Sequence, residues 1–368
     1  MSKKLWIGPY DLLYATGDVA EYLIKARRRG ATGVRIFGLI NWYFYNKCTP
    51  FKEVKKWHPP DAEVKAEVPL YNLDKWNEEY WDRLSYLFGL LDMADMEAHV
   101  ALHDFCSIKR SGVDRYFHPF ISSVQARDTG AGFFDDAMKR WHVQYFERMT
   151  NELEQACIPH YLEVMNETGR YLDMTNEQLV NWHGWAVDQL QELGVKKNRI
   201  IGSYEPSFGM SLGIALSRQV GKWSVHGHAR PEKVLPKYPH LSPHTIVSTD
   251  GGGDGDGPMD PIYHWKGPSA KQMKGIAERV MEYGHFGIEY KPRDAVVAWN
   301  KWANVDKVDL GIVRAAGLVL GTIPNPTPTE PPTPPEPEPP LIPEPEPQPK
   351  LPQSWWKRLL DWIRRLFG

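Results

Sequence analysis

Residues 160–169 read HYLEVMNETG. Tyr161, Leu162, Val164 and Met165 make a short apolar run with aromatic and β-branched members, the composition of a strand covered on both faces. The run stops on a polar pair, Asn166 and Glu167. Segments of the same kind recur at 5–9, 33–39, 98–104, 199–204, 223–228, 245–250 and 285–290. Amphipathic stretches at 18–29, 77–96, 135–155, 176–193 and 270–283 lie between them. The fourth opens with Thr175 ahead of acidic Glu177, which reads as a helix start. Regular β-then-α alternation calls for a parallel sheet with crossover helices. Eight strands over about 320 residues fit a closed barrel with long loops better than an open doubly wound sheet. The predicted fold class is therefore α/β, a (β/α)8 or TIM barrel over residues 1–322. No GxGxxG follows the first strand and no GxxxxGK[ST] occurs, which weighs against nucleotide-binding architectures.

Beyond the barrel the composition changes. Residues 323–353 read IPNPTPTEPPTPPEPEPPLIPEPEPQPKLPQ, where nearly every second residue is proline. Proline lacks the amide proton and fixes φ, so the segment reads as an extended polyproline II linker. It can reach on the order of 90 Å at about 3.1 Å per residue. The last segment, 354–368, reads SWWKRLLDWIRRLFG. On a helical wheel Trp355, Trp356, Leu359, Leu360, Trp362, Ile363, Leu366 and Phe367 fill one arc. Lys357, Arg358, Asp361, Arg364 and Arg365 fill the other, so the segment is predicted to be a cationic amphipathic helix.

The whole chain has 368 residues, 42% hydrophobic and 24% charged, with a net charge of −2. That balance gives no reason to expect a nucleic-acid partner. Fifteen tryptophans and seventeen tyrosines exceed what a core needs, and surplus aromatics suit sites for the apolar faces of sugar rings as well as packing. Cys48, Cys106 and Cys157 form no CxxC pair, so neither a zinc site nor a disulfide framework is expected. The start, MSKKLWIGPYDLL, lacks a long apolar stretch and a cleavage site. No signal peptide is read there. Synthesis is expected in a cytoplasm, with release or peripheral attachment to a membrane or envelope through the final helix left open.

Barrels of this class keep their chemistry at the carboxyl ends of the strands. There the sequence places Arg35 (second strand), His103 and Asp104 (third), Asn166 and Glu167 (fourth), Tyr204 and Glu205 (fifth), His226 and His228 (sixth), Asp250 (seventh) and Glu289 (eighth). Polar side chains that collect at seven of the strand ends are hard to explain as packing. GGGDGDG at 251–257 carries aspartates but lacks the ligand spacing of an EF-hand, so it is read as a loop, with no metal assigned.

This pattern resembles the clan A glycoside hydrolases, family 5 in particular, over about residues 1–320. GVRIFG with Arg35, VALHDF with His103, HYLEVMNETG with Asn166 and Glu167, and SVHGH with His226 look like that family's second, third, fourth and sixth strands. The resemblance implies a monomeric, retaining hydrolase of poly- or oligosaccharides, endo-acting and without a cofactor. Glu167 would be the general acid/base. Asn166 would bond the sugar's 2-hydroxyl, Arg35 would hold the nucleophile ionised, and His103 and His226 would position hydroxyls or carboxylates. There are two departures. His228 stands where the family has a tyrosine. The family's seventh strand ends in a glutamate nucleophile within a Glu-Phe-Gly-like sequence, which is absent here. MKGIAERVMEYGHFGIEYK looks like that seventh unit, with IVSTDGGG then in an extended loop, and this favours Glu289 as nucleophile over Asp250. Tyr204, His228 and Asp250 are further candidates for substrate contact. Trp42, Trp57, Trp299 and Trp302 are candidate sugar platforms, Trp299 foremost. The competing readings are a non-catalytic sugar-binding barrel and a metal-dependent hydrolase using His103, Asp104, His226 and His228.

The tail generates the first prediction. A helix with tryptophans on one arc and four cations on the other suits an anionic lipid interface, and a partner protein is the competing occupant. The full-length protein should pellet with anionic vesicles, and less so at high salt. A chain ending at Thr322 should stay in the supernatant. Equal behaviour of the two would remove the lipid reading.

Overall fold

Each barrel strand pairs in parallel with two neighbours, so the sheet has no edge. In a computed structural model the chain is described over residues 3–9, 12–14, 19–39, 49–59, 65–105, 108, 116–129, 132–169, 174–204, 210–226, 244–249, 268–290 and 302–324. The barrel strands are β1 (Lys4–Ile7), β2 (Gly33–Phe37), β5 (Glu97–Ala101), β6 (His160–Glu163), β7 (Ile200–Tyr204), β8 (Lys222–His226), β9 (Thr245–Ser248) and β10 (Gly287–Tyr290). They pair in chain order, and β10 closes on β1 with Lys4 opposite Gly287 and Ile7 opposite Tyr290. The predicted (β/α)8 barrel is the observed fold.

The closure settles the strand count. β9 pairs with β8 on one side and β10 on the other. IVST is thus the seventh barrel strand and GIEY the eighth. The expectation that IVSTDGGG lies in an extended loop, with Glu289 on the seventh strand, is corrected. The apolar run at 245–250 had marked it as the seventh strand, and the loop reading came from the family resemblance alone.

Strand alternation divides the side chains into two cores. Trp6, Tyr161, Ile201, Ile246 and Phe286 form a cluster of their own inside the barrel. The alternate residues Leu5, Ile7, Val34, Ile36, Val100, Leu162, Val225, Val247 and Ile288 join the main cluster under the helices. Those helices are α1 (Val19–Arg28), α2 (Glu78–Met93), α3 (Val124–Thr129), α4 (Lys139–Gln155), α5 (Asn176–Glu192), α6 (Met210–Ser217), α7 (Ala270–Glu282) and α8 (Trp302–Leu320). The Thr175 start is realised as a capping box with Gln178, and Ser269 with Gln272 repeats it at α7. Gly30 ends α1 at φ 105°, and a Cβ on Gly30 would stand 2.9 Å from the Gly317 Cα. Two glycines thus let the ends of α1 and α8 touch. Among the described residues no helix is long and apolar enough to cross a membrane.

Four features were not read from the sequence, the short helices α3 and α6 among them. An antiparallel hairpin of β3 (Phe51–Trp57) and β4 (Val68–Trp76) follows β2. Most of FKEVKKW is exposed, so it carries little apolar periodicity. The helix α8 was also unassigned, although it buries Leu310, Ile312, Val313, Ala316 and Leu320. The chain divides at 325/326 into two units. The amphipathic segment and nearly all of the linker fall in the second, outside the described residues.

A histidine-rich aromatic layer lies outside the barrel. His103, His118 and His142 are fully buried beside Phe120 and Phe133. Burial pushes all three well below the usual imidazole range, His118 and His142 to about 3. These rings stay neutral in the folded state, while the unfolded chain takes up protons below about pH 6.5. Stability is therefore full above that value and should fall as pH drops from about 6.5 toward 3, by up to about 1.4 kcal/mol per pH unit for each histidine. Urea unfolding of the wild type and of His118→Phe between pH 7 and 5 measures this. The variant should lose stability less steeply, and equal slopes would contradict the assignment.

Candidate active site

The inward positions at the carboxyl half of the barrel are charged. Arg35, on β2, is 1% exposed and meets Glu163 of β6, which is 0% exposed. The contact is a fork: Nε donates to Oε2 at 3.0 Å, and Nη2 reaches Oε1 at 2.8 Å and Oε2 at 2.7 Å. Such planar two-point pairing suits guanidinium and is beyond an ammonium group. The other side of Arg35 serves two partners. Nη1 donates to Glu289 Oε1 at 2.6 Å, and Nη2 donates to Asn166 Oδ1 at 2.6 Å. Asn166 in turn donates to Asp104 Oδ1 at 2.7 Å. His99 of β5 comes within 2.7 Å of Glu163 through Nε2 and within 3.8 Å of Glu289 through Nδ1. Burial alone would raise the Glu163 carboxyl, but Arg35 and His99 more than offset it and hold it well below the usual carboxylate range. Glu289 Oε1 also accepts from the Ser248 hydroxyl at 3.4 Å, while Oε2 has no hydrogen-bond partner among the described residues.

Glu167 sits where the chain leaves β6, with φ at 49°. For a residue with a side chain this left-handed conformation costs on the order of 1 kcal/mol, and such strain gathers at functional sites. The turn lifts the carboxylate out of the core, to 17% exposure. The Glu167 amide donates to Ser203 Oγ at 2.8 Å. His226 holds the carboxylate, with Nδ1 3.1 Å from Oε1, and its Nε2 lies 2.9 Å from the Ser203 Oγ. In the neutral imidazole Nδ1–H then donates to Glu167 and Nε2 accepts from the serine hydroxyl. Ser203 and His226 together fix both the backbone and the head of Glu167.

Six of the residues singled out from sequence, Arg35, Asp104, Asn166, Glu167, His226 and Glu289, meet in this constellation. Two others do not. Tyr204 points outward and is fully buried, stacked on Trp223 at 6.1 Å. Alternation on β7 turns Ser203 inward and Tyr204 toward α6, so its assignment to substrate contact is corrected. His103 is fully buried in the outer aromatic layer, its Nε2 3.2 Å from His142 Nδ1. The third barrel strand ends at Ala101, short of the predicted 104, so strand alternation no longer governs residue 103 and its ring turns toward α4. Its predicted contact with substrate is corrected in the same way. Trp57 lies in the hairpin with its Nε1 donating to Ser122 Oγ at 3.0 Å. His228, Asp250, Trp299, Trp42, the loop 251–257 and the side chain of Trp302 lie outside the described residues. Among the described residues no group of three or more His, Cys, Asp or Glu side chains is arranged to hold a metal ion.

Sequence reasoning missed Glu163, His99, Ser203 and Ser248. Glu163 had a usable signal. It is the charged residue in an otherwise apolar run, and inward alternation from Tyr161 reaches it.

No family model matches the chain, and no curated protein is similar to it. Solved structures do match. A glycoside hydrolase family 5 enzyme from Prevotella bryantii B14 aligns at 14% identity over 87% of this chain and 96% of its own, with a TM-score of 0.52. The endo-1,4-β-mannanase of Rhizomucor miehei aligns at 11% identity over 87% and 95%, with a TM-score of 0.56. The chain also spans half the length of a glycoside hydrolase candidate from Bacteroides vulgatus ATCC 8482, at 15% identity over 78% of this chain and a TM-score of 0.51. The barrel is thus similar in fold to family 5 glycoside hydrolases.

The network predicts a large penalty for losing its cation. Arg35→Met leaves Glu163 ionised in the core without its main partner and should cost about 3–5 kcal/mol in urea unfolding at pH 7. A loss under about 1 kcal/mol would mean that the pair is not isolated from solvent.

Proposed function

We propose that this chain is a retaining glycoside hydrolase with Glu167 as general acid/base and Glu289 as nucleophile. The observation that carries the reading is the link between two carboxylate sites. A partly exposed Glu167 follows Asn166 at the end of β6, and Asn166 shares Arg35 with Glu289. Cleavage of a glycosidic bond needs a proton on the leaving oxygen and an anion facing the oxocarbenium-like carbon. Glu167, held by His226 and open to the barrel mouth, suits the first task. Glu289, ion-paired with Arg35 at 2.6 Å, suits the second. In the first step Glu289 bonds the anomeric carbon as Glu167 protonates the departing oxygen. In the second, Glu167 takes a proton from water, which displaces Glu289.

One observation favours a second nucleophile. β9 is the seventh barrel strand, and in the family that this chain resembles the nucleophile ends that strand. Asp250 comes two residues after its last residue, Ser248. The substrate class is proposed as a β-linked glucan or mannan cleaved internally, a reading supported by the resemblance and by the mannanase among the structural neighbours. The tail, 354–368, is proposed to attach the enzyme peripherally to an anionic surface.

The purified protein screened against a polysaccharide panel, peptidoglycan included, should release reducing ends from at least one member. Proton NMR should find the product first formed with the anomeric configuration of the substrate. Glu167→Gln should lose roughly 10²–10⁴-fold on natural linkages and much less on aryl glycosides whose leaving groups need little protonation. Glu289→Gln should lose both activities. A fully active Glu289→Gln with an inactive Asp250→Asn would transfer the nucleophile to Asp250, and an inverted product would remove the retaining mechanism.

A further inference from the structure

We infer that Glu163 is a positioning residue for this chemistry, acting through Arg35 on Glu289 and Asn166. The inference rests on the glycosidase reading above. Glu163 is fully buried below the mouth, so it does not touch substrate. Its two oxygens take the Nε and Nη2 edge of Arg35 in the fork. That pairing fixes the plane of the guanidinium. The remaining N–H groups are then aimed, one at Glu289 and one at Asn166, each at 2.6 Å. His99 braces the same carboxylate from another strand and faces Glu289 with its second nitrogen. Glu163 is thus the common anchor for the arginine and the imidazole that flank the proposed nucleophile.

The arrangement also holds charge in place. The groups that face Glu163 are Arg35 on β2 and His99 on β5, with Glu289 on β10 and Asp104 reached through Arg35 and Asn166. Removing the Glu163 charge should leave Arg35 without its main partner, and withdrawing that charge from the fork should loosen the aim at Glu289 and Asn166.

Two variants separate these effects. Glu163→Gln keeps the shape, removes the charge and turns an N–H group toward the guanidinium. Glu163→Asp keeps the charge and withdraws it from the fork. In the full-length protein Glu163→Gln should lower kcat by up to about 100-fold with KM within about threefold. Glu163→Asp should also lower kcat, again with KM within about threefold. If both variants lose only thermal stability, with kcat unchanged, Glu163 is structural and the inference is overturned. Should Glu163→Gln fail to fold, Glu163→Asp decides through kcat: a wild-type value overturns the inference. A wild type that cleaves nothing in the panel would refute the functional reading.

Discussion

The polar half of the barrel depends on a guanidinium that has no access to water. Removing Arg35 and its carboxylates from water costs several kcal/mol per ion, and only close pairing repays it. A well-packed apolar plug would be at least as stable, and the inner cluster around Trp6 and Phe286 fills the other end of the barrel in that way. The charged layer therefore reflects specificity. It ties β2, β6 and β10, which are not neighbours in the sheet. A one-residue slip of β6 would bring Leu162 to Arg35 and turn Glu163 into the helix layer. The network thus penalises wrong register strongly.

Three glutamates near one another occupy three environments. Glu163 is sealed and forked, Glu289 is sealed with one oxygen lacking a hydrogen-bond partner among the described residues, and Glu167 is lifted toward solvent by a left-handed backbone. Environment separates the roles of chemically identical groups, as it must where one carboxyl donates a proton and another stays an anion. Ser203 serves two neighbours. It accepts from the Glu167 amide and bonds the imidazole that grips the Glu167 head, so fifth-strand geometry reaches the proposed acid through one hydroxyl.

Much of the barrel was legible because buried parallel strands write themselves as apolar runs and their helices as amphipathic ones. The legibility failed where that signal is weak. β3 is mostly solvated, while β9 was legible as a strand and was set aside as loop only on the family resemblance. Within the site, residues at strand ends were legible as chemistry, but direction was not. Tyr204 and Ser203 are adjacent, and a difference of one position decides which faces the barrel axis. His103 was misplaced because its strand stops two residues earlier. Glu163 and His99 went unread for the opposite reason. They lie inside strands, where a charge has meaning only once Arg35 is known to sit across the barrel.

The contact of Gly30 with Gly317 brings the last barrel helix against the first. Lys3, Lys4, Leu320, Gly321 and Thr322 line one groove at the amino-terminal face of the barrel. The first strand and the close of the final helix are therefore spatial neighbours, on the side away from the strand ends that carry Asn166 and Glu167. A ring of strands has no intrinsic beginning. A short peptide joining these two points, with new ends cut between a helix and the next strand on the same face, would keep every strand pairing. The order in which the eight units are synthesised is in that sense separable from the architecture they form, and the barrel lends itself to circular permutation.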